Sequence, residues 1–124
     1  MIVGVGIDMI EVDRVLEKVA KDNGFKEQVF SDDEISFCES KPKKGENYAA
    51  RFAAKEAFLK ATGLGLTIGY KLSEIEVVHE VSGRPILVLS GGVKEKAVQY
   101  NWNKIHLSIS HLQAIACAVV IIEE

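Results

Sequence analysis

The chain has 124 residues, of which 48% are hydrophobic, and carries a net charge of −3 at pH 7. This length suits a single domain over residues 1–124, with little room for a deep, self-contained active site. The negative charge argues against a general nucleic-acid binder. No signal-peptide pattern opens the sequence, and the longest apolar run, residues 114–122, is too short to span a membrane. We therefore expect a cytoplasmic protein without a nucleic-acid or membrane partner.

Residues 2–7 predict a β-strand that ends at Asp8. Strand alternation places two sets of residues on opposite faces: Val3, Val5 and Ile7 on one, and Gly4, Gly6 and Asp8 on the other. The glycines leave bare backbone beside the carboxylate, so a ligand or a neighbouring segment can approach it closely. The alternative role for Asp8 is to cap the next helix, which would not explain the glycines.

A helix is predicted over residues 11–23, because its apolar residues recur at helical spacing. Its surface carries a basic line at positions i, i+4 and i+7: Arg14, Lys18 and Lys21. Like charges at this spacing repel slightly, so the line favours an acidic partner that docks on this face. Glu17 and Asp22 lie nearby, and an ordinary solvated helix face is therefore the alternative.

The capping-box pattern Ser31-Asp32-Asp33-Glu34 predicts a short helix that ends near Ser40. A basic surface loop over residues 41–45 leads from it to a central helix. Residues 50–61 belong to this central helix, since they favour helical structure and no Gly or Pro interrupts them before Gly63.

The central helix is apolar almost all the way round, apart from two charged stripes, Arg51/Lys55 and Glu56/Lys60. A helix of this kind is usually buried, and buried charge is costly unless it is paired or bound to something. We therefore expect these charges to line a site. The alternative for Glu56 and Lys60 is an i,i+4 salt bridge, worth ~0.2–0.5 kcal/mol on an exposed helix.

The second half of the chain predicts two β-hairpins with a helix between them. A flexible connection over residues 63–70 comes first, and the elements follow as strands at 75–80 and 85–89, a helix at 91–100, and strands at 105–111 and 114–122. His106 lies in one of these strands, where a histidine is more often structural than catalytic. These elements predict an α+β domain with a mostly antiparallel sheet packed on the central apolar helix.

Two carboxylates, Asp8 and Glu56, together with the basic residues Arg51, Lys55 and Lys60, suit a hard cation and a phosphate. Mg²⁺ commonly binds through one or two carboxylates, with phosphate oxygens and water completing its shell. Lysines neutralise the remaining phosphate charge. The sequence has no glycine-rich nucleotide loop, no nucleophile-elbow motif and no zinc signature. The residues alone therefore predict a site that binds Mg²⁺ and phosphate.

Two segments resemble the signatures of the phosphopantetheinyl transferases. Gly6-Ile7-Asp8 followed by Arg14 is similar to their N-terminal signature. The segment Phe52-Ala-Ala-Lys55-Glu56-Ala-Phe-Leu-Lys60-Ala61 resembles their second signature, an aromatic residue followed by x-x-Lys-Glu-Ala-x-x-Lys. The length and the segment His106-Leu-Ser108-Ile-Ser110-His111 are similar to the short subgroup of the family. The resemblance covers essentially the whole chain.

The resemblance implies transfer of 4′-phosphopantetheine from coenzyme A (CoA) to a serine of apo acyl carrier protein, for fatty acid biosynthesis. Adenosine 3′,5′-bisphosphate would be released. It implies that Asp8 and Glu56 hold Mg²⁺ against the CoA pyrophosphate. It further implies that Arg51, Lys60 and His106 bind CoA, with Arg51 and Lys60 near its phosphates and His106 close to the metal site. It also implies a homotrimer with its active sites at subunit interfaces.

Within this resemblance, the expected catalytic residues are Asp8, Glu56 and Lys60. The metal and Lys60 would stabilise charge that develops on the phosphates, and Glu56 would accept the serine proton directly or through a metal-bound water. Because carrier proteins are acidic, the expected docking surface is the basic line of the first helix: Arg14, Lys18 and Lys21. Two alternatives stay open: a family member that binds CoA without transferring anything, and a Mg²⁺-dependent hydrolase of a pyrophosphate bond.

Overall fold

The computed structural model describes residues 1–64 and 71–124, so most of the connection predicted over residues 63–70 lies outside the described residues. The helices and strands, in chain order, are β1 (Ile2–Glu11), α1 (Val12–Ala20), α2 (Phe25–Val29), α3 (Asp32–Glu39), α4 (Lys44–Thr62), a 3₁₀ turn (Leu72–Glu74), β2 (Ile75–His79), β3 (Pro85–Leu89), α5 (Gly91–Gln99), β4 (Lys104–His111) and β5 (Ile115–Glu123).

Both sheets are antiparallel. β5 lies between β1 and β4 in a three-stranded sheet, and β2 and β3 form a separate hairpin. One face of the three-stranded sheet packs against α4, where Ala57 and Phe58 share a core with Val120 and Ile122 of β5. The predicted α+β class, with an antiparallel sheet packed on a central apolar helix, is confirmed.

The central helix α4 is the buried centre of the domain. It begins at Lys44, earlier than its apolar pattern suggests, which shortens the predicted basic loop. It ends at Thr62, and the next residue, Gly63, has a φ of 72°, in the left-handed region that glycine adopts without strain. No helix in the described part of the chain, α4 included, has the length and apolar run of a membrane span. The cytoplasmic location stays a prediction.

β1 runs directly against α4 because two of its residues have no side chain. A Cβ atom on Gly4 would collide with the carbonyl oxygen of Ala61, and one on Gly6 would collide with that of Ala57. The two predicted faces of the strand are confirmed, and the segment that approaches the glycines is α4. This close approach places Asp8 beside the helix.

The first third of the chain follows the prediction in kind but differs in length, and one helix was not predicted. β1 continues to Glu11, past the predicted end at Asp8, and α1 ends at Ala20, so Lys21 of the basic line lies just past the helix. α1 buries Val12, Val15 and Val19, and the predicted capping box of α3 is present. The helix that was not predicted is α2, which follows Gly24 and has only five residues. Five residues are too few for a helical period to be recognised in the sequence.

The second face of the three-stranded sheet is open to solvent in the single chain. It presents a row of large apolar side chains from β1, which are 41% to 63% exposed: Val3, Val5, Ile7 and Met9. Contiguous exposed apolar surface of this kind is typical of an interaction site.

Candidate active site

Asp8 and Lys60 meet where β1 crosses α4. Lys60 Nζ lies 3.0 Å from Asp8 Oδ1 and donates a further hydrogen bond of 3.0 Å to the carbonyl oxygen of Ile7. The Asp8 side chain is 14% exposed and that of Lys60 is 56% exposed. Lys60 is therefore ion-paired with Asp8 across the strand–helix contact, and not with Glu56 as the simple i,i+4 alternative proposed. Asp8 does not cap α1 either, because the N-cap position is Glu11.

Glu56 lies half-buried beside this ion pair. Burial raises the pKa of the Glu56 carboxyl, the charge of Asp8 raises it further, and Lys60 and Lys18 oppose the rise. Two carboxylates that repel each other in a half-buried place favour a bound cation. In the described residues no group of three or more His, Cys, Asp or Glu side chains converges. Two carboxylates alone are a donor set that suits Mg²⁺ when phosphate oxygens and water supply its other ligands.

Lys55 does not line this site. Its side chain is fully buried and its ammonium donates to Glu34 Oε1 at 2.7 Å, to the carbonyl oxygen of Leu72 at 3.0 Å and to that of Ile75 at 2.6 Å. An ammonium has three N–H donors, and these three acceptors use them all. The prediction that Lys55 helps to neutralise a phosphate is therefore wrong.

Arg51 lies in a separate cavity of about 210 Å³. Its guanidinium carbon is 4.3 Å from the centre of the Phe37 ring, and its Nη1 donates to the carbonyl oxygen of Asn47 at 3.4 Å. Arg51 is only 4% exposed, and its buried Nε has no hydrogen-bond partner among the described residues. Because Arg51 adds a positive charge to its lining, this cavity favours an anionic ligand.

Two histidines, His79 and His111, line the same cavity, and neither was predicted to be a site residue. His111 Nδ1 lies 2.9 Å from Glu46 Oε1, and the His79 ring stacks on Phe37 with 5.4 Å between ring centres. Burial and the nearby Arg51 lower the pKa of His79. His111 belongs to a segment that carries the family resemblance, which was the available signal. His79 had none, because only packing brings it to the cavity.

His106 lies away from Asp8 within one chain. On the shared neighbour β5, His106 is opposite Ile121, whereas Asp8 is opposite Ala118. Ala118 is buried against the core, so strand alternation places His106 on the open face of the sheet. His106 Nε2 lies 2.6 Å from Glu123 Oε1. The residues predicted to bind CoA, Arg51, Lys60 and His106, therefore occupy three different places in a single chain.

The basic line of α1 is exposed, as predicted. Arg14, Lys18 and Lys21 border a shallow surface cleft together with Glu17. Lys18 Nζ lies 5.7 Å from the centre of the Phe25 ring, and its charge acts on the pKa of Glu56. Lys18, the middle residue of the line, is therefore within electrostatic range of the carboxylate cluster.

Comparison with known proteins bears directly on this geometry. The family ACPS, the 4′-phosphopantetheinyl transferase superfamily, matches the chain over residues 4–120. The chain belongs to this superfamily. It is 43% identical over 123 residues to the holo-[acyl-carrier-protein] synthase of Clostridium tetani, a match that covers 99% of this chain and 97% of the relative. The phosphopantetheinyl transferase family and the enzyme class that the two signatures predicted are confirmed.

Solved structures of the superfamily have the same fold. The holo-[acyl-carrier-protein] synthase of Neisseria meningitidis aligns with a TM-score of 0.91 at 26% identity over 100% of both chains. The synthase of Bacillus anthracis, in complex with CoA (3′,5′-ADP), aligns with a TM-score of 0.80 at 35% identity over 98% of this chain and 96% of that one. The predicted phosphopantetheinyl transferase-like fold is confirmed.

Proposed function

We propose that Asp8, Glu56 and Lys60 form the centre at which 4′-phosphopantetheine passes from CoA to a serine of apo acyl carrier protein. The transfer itself is supported by membership of the superfamily and by relatives that are holo-[acyl-carrier-protein] synthases. The chain is a transferase with CoA as its substrate. The proposed position of this centre rests on one observation: two carboxylates and one ammonium converge where β1 crosses α4.

Each of these side chains has a task that its surroundings suit. The serine hydroxyl attacks the β-phosphorus of CoA, the bond to the bridging oxygen breaks, and adenosine 3′,5′-bisphosphate leaves. Lys60 donates to the phosphate oxygens that gain charge. Asp8 and Glu56 would hold Mg²⁺, which when bound neutralises pyrophosphate charge. Glu56 accepts the serine proton, directly or through water.

The activity is tested by incubating the protein with CoA, Mg²⁺ and an apo carrier protein and weighing the carrier by mass spectrometry. The proposal expects a mass gain of one phosphopantetheine group on the carrier. CoA cleavage without a mass gain would instead indicate the hydrolase, and unchanged CoA would indicate a protein that only binds it. Either of these results would overturn the transfer.

We further propose a homotrimer whose active sites lie between subunits. Two observations support it. The open face of β1 carries apolar side chains that a second copy would cover. In addition, the Arg51 cavity and the carboxylate cluster lie on different sides of α4: Arg51 faces Phe37 of α3, whereas Lys60 faces Asp8 of β1. One CoA molecule could use both groups if they came from neighbouring copies.

Mixed assembly tests this arrangement. Arg51→Ala and Glu56→Gln should each be inactive alone. In a closed ring each site takes Arg51 from one subunit and Glu56 from its neighbour. When the two variants are co-assembled in equal amounts, about a quarter of the sites should therefore contain both native residues and be active. The matched control combines Asp8→Asn with Glu56→Gln. Because one subunit supplies both of these residues to a site, no mixed site has both intact, and activity should not recover. Absence of recovery with Arg51→Ala, or a fully active monomer in sedimentation, would contradict the shared site.

We propose the basic line of α1 as the docking surface for the acidic carrier. Reversing Arg14 and Lys18 to Glu should raise the KM for carrier protein and flatten its salt dependence, because electrostatic docking mainly increases the association rate. The KM for CoA should not change. Lys94→Glu with Lys96→Glu, on α5, changes net charge equally and serves as the control. Equal carrier KM values for wild type and the α1 variant at low ionic strength would identify a solvated helix face.

A further inference from the structure

The buried ion pair Lys55–Glu34 joins three elements of the fold. Glu34 is on the first turn of α3, and its Oε1 accepts hydrogen bonds from Ser31 N at 3.0 Å and from Lys55 Nζ at 2.7 Å. Its Oε2 accepts from Val77 N at 3.0 Å. Lys55 belongs to α4 and Val77 to β2. One cluster of buried polar groups therefore fixes α3 and β2 against α4.

β2 forms one wall of the Arg51 cavity through Val77 and His79. α3 does not line the cavity, but its Phe37 contacts two lining residues, Arg51 and His79. Phe37 lies about one turn after Glu34 on α3, and the Arg51 guanidinium lies over its ring. His79, at the end of β2, lines the cavity and stacks on the same ring. Arg51 stands four residues before Lys55, on the same face of α4. The ion pair thus links the three elements that hold Phe37, His79 and Arg51.

We propose that Lys55 and Glu34 are positioning residues for the Arg51 cavity and hence for the CoA phosphate that it receives. The identity of that ligand rests on the proposed function. The pair does not touch the ligand; it acts through the stacked rings of Phe37 and His79. A buried ion pair often contributes no more to stability than apolar residues of similar volume. A positioning role gives a reason for this pair that stability alone does not.

Replacing the pair with neutral side chains of similar size tests the proposal. Lys55→Met with Glu34→Gln removes both charges and keeps an amide oxygen for Val77 N. We expect the affinity for CoA, measured by calorimetry without carrier protein, to fall by about tenfold or more, since small displacements of a binding group are costly. The KM for CoA should rise accordingly. We expect little change in kcat, because Glu56, although next to Lys55 in the chain, points about 100° away from it around α4.

The ring-proton NMR signals of His79 give a readout that does not depend on CoA. The Phe37 ring should shift these signals in the wild type, and the shift should shrink when the pair is removed, because the two rings no longer stack at a fixed distance. His79→Gln assigns the signals, and those of His106 should stay constant. Glu34→Gln alone should also weaken CoA binding and reduce the shift of the His79 signals, but by less than the double variant. If the double variant does not fold, this single variant tests the proposal.

Val93→Ala is the matched control, because Val93 is a core residue of α5 that neither lines the cavity nor hydrogen-bonds to the ion pair. At a similar loss of melting temperature it should leave CoA affinity and the His79 signals unchanged. The inference is overturned if the ion-pair variants bind CoA as the wild type does with His79 unmoved, or if Val93→Ala weakens CoA binding equally. If wild type binds no CoA, the proposed function fails, while the His79 signals still decide the positioning role.

Discussion

Glu56→Gln and Asp8→Asn are each expected to abolish transfer while the protein stays folded. Both substitutions keep the shape of the side chain and remove its charge, so the pair loses its hold on a cation. Loss of one electrostatic group at a site of phosphoryl transfer typically costs about 10²–10³-fold in kcat, and we expect at least that loss at limiting Mg²⁺. Mass analysis of the carrier over time measures it.

Folding stability separates this outcome from simple damage. Burial and Asp8 raise the pKa of Glu56 in the folded protein, so ionised Glu56 opposes folding. That cost is absent below the unfolded-state pKa and complete above the raised folded-state pKa. Without divalent cations, Glu56→Gln should therefore melt at or above the wild-type temperature at pH 7, and the difference should shrink as the pH falls through the carboxyl range.

The control for both substitutions is Asp13→Asn, which removes an exposed carboxylate from α1. It should keep wild-type turnover. If Glu56→Gln or Asp8→Asn retains near-normal turnover at limiting Mg²⁺, the two residues do not share a metal.

Lys60→Met should reduce kcat/KM by about 10²–10³-fold, because it removes the positive charge that faces the transferred phosphate. The effect on the free energy of unfolding should stay below about 1 kcal/mol, since more than half of the Lys60 side chain is exposed and such ion pairs contribute little. Steady-state kinetics and thermal melting of the same preparation measure both quantities.

Lys94→Met, on α5, is the matched control and should change neither quantity. The structural alternative predicts the reverse pattern for Lys60→Met: a large drop in melting temperature, with the remaining folded enzyme fully active. That pattern would remove Lys60 from the catalytic centre.

The carboxylate cluster could be predicted from the sequence because its signals are local. Two glycines beside Asp8 indicate a strand that another segment approaches closely, and a narrow charged stripe on an apolar helix marks Glu56 and Lys60. The structure brings the two segments together through Gly6 and Ala57. Local pattern and tertiary contact agree here, so little information was missing.

The Arg51/Lys55 stripe shows where the sequence is insufficient. Both residues lie on one stripe of the same apolar helix, yet Lys55 is saturated by partners in the fold while Arg51 lines a cavity. The partner that distinguishes them, Glu34, is 21 residues away in the chain. His79 reaches the cavity only through hairpin packing. The spacing of residues along one helix predicts neither the Lys55–Glu34 ion pair nor the position of His79 at the cavity.

Divalent-metal binding tests the central claim, that Asp8 and Glu56 hold one cation together with CoA. Mn²⁺ serves as a probe, and electron paramagnetic resonance measures free Mn²⁺ as CoA is added to wild type, Asp8→Asn, Glu56→Gln and the control Asp13→Asn. We expect about one Mn²⁺ per chain to bind in the presence of CoA in wild type and Asp13→Asn, with clearly weaker binding in the other two. Equal Mn²⁺ binding in all four proteins would contradict the claim.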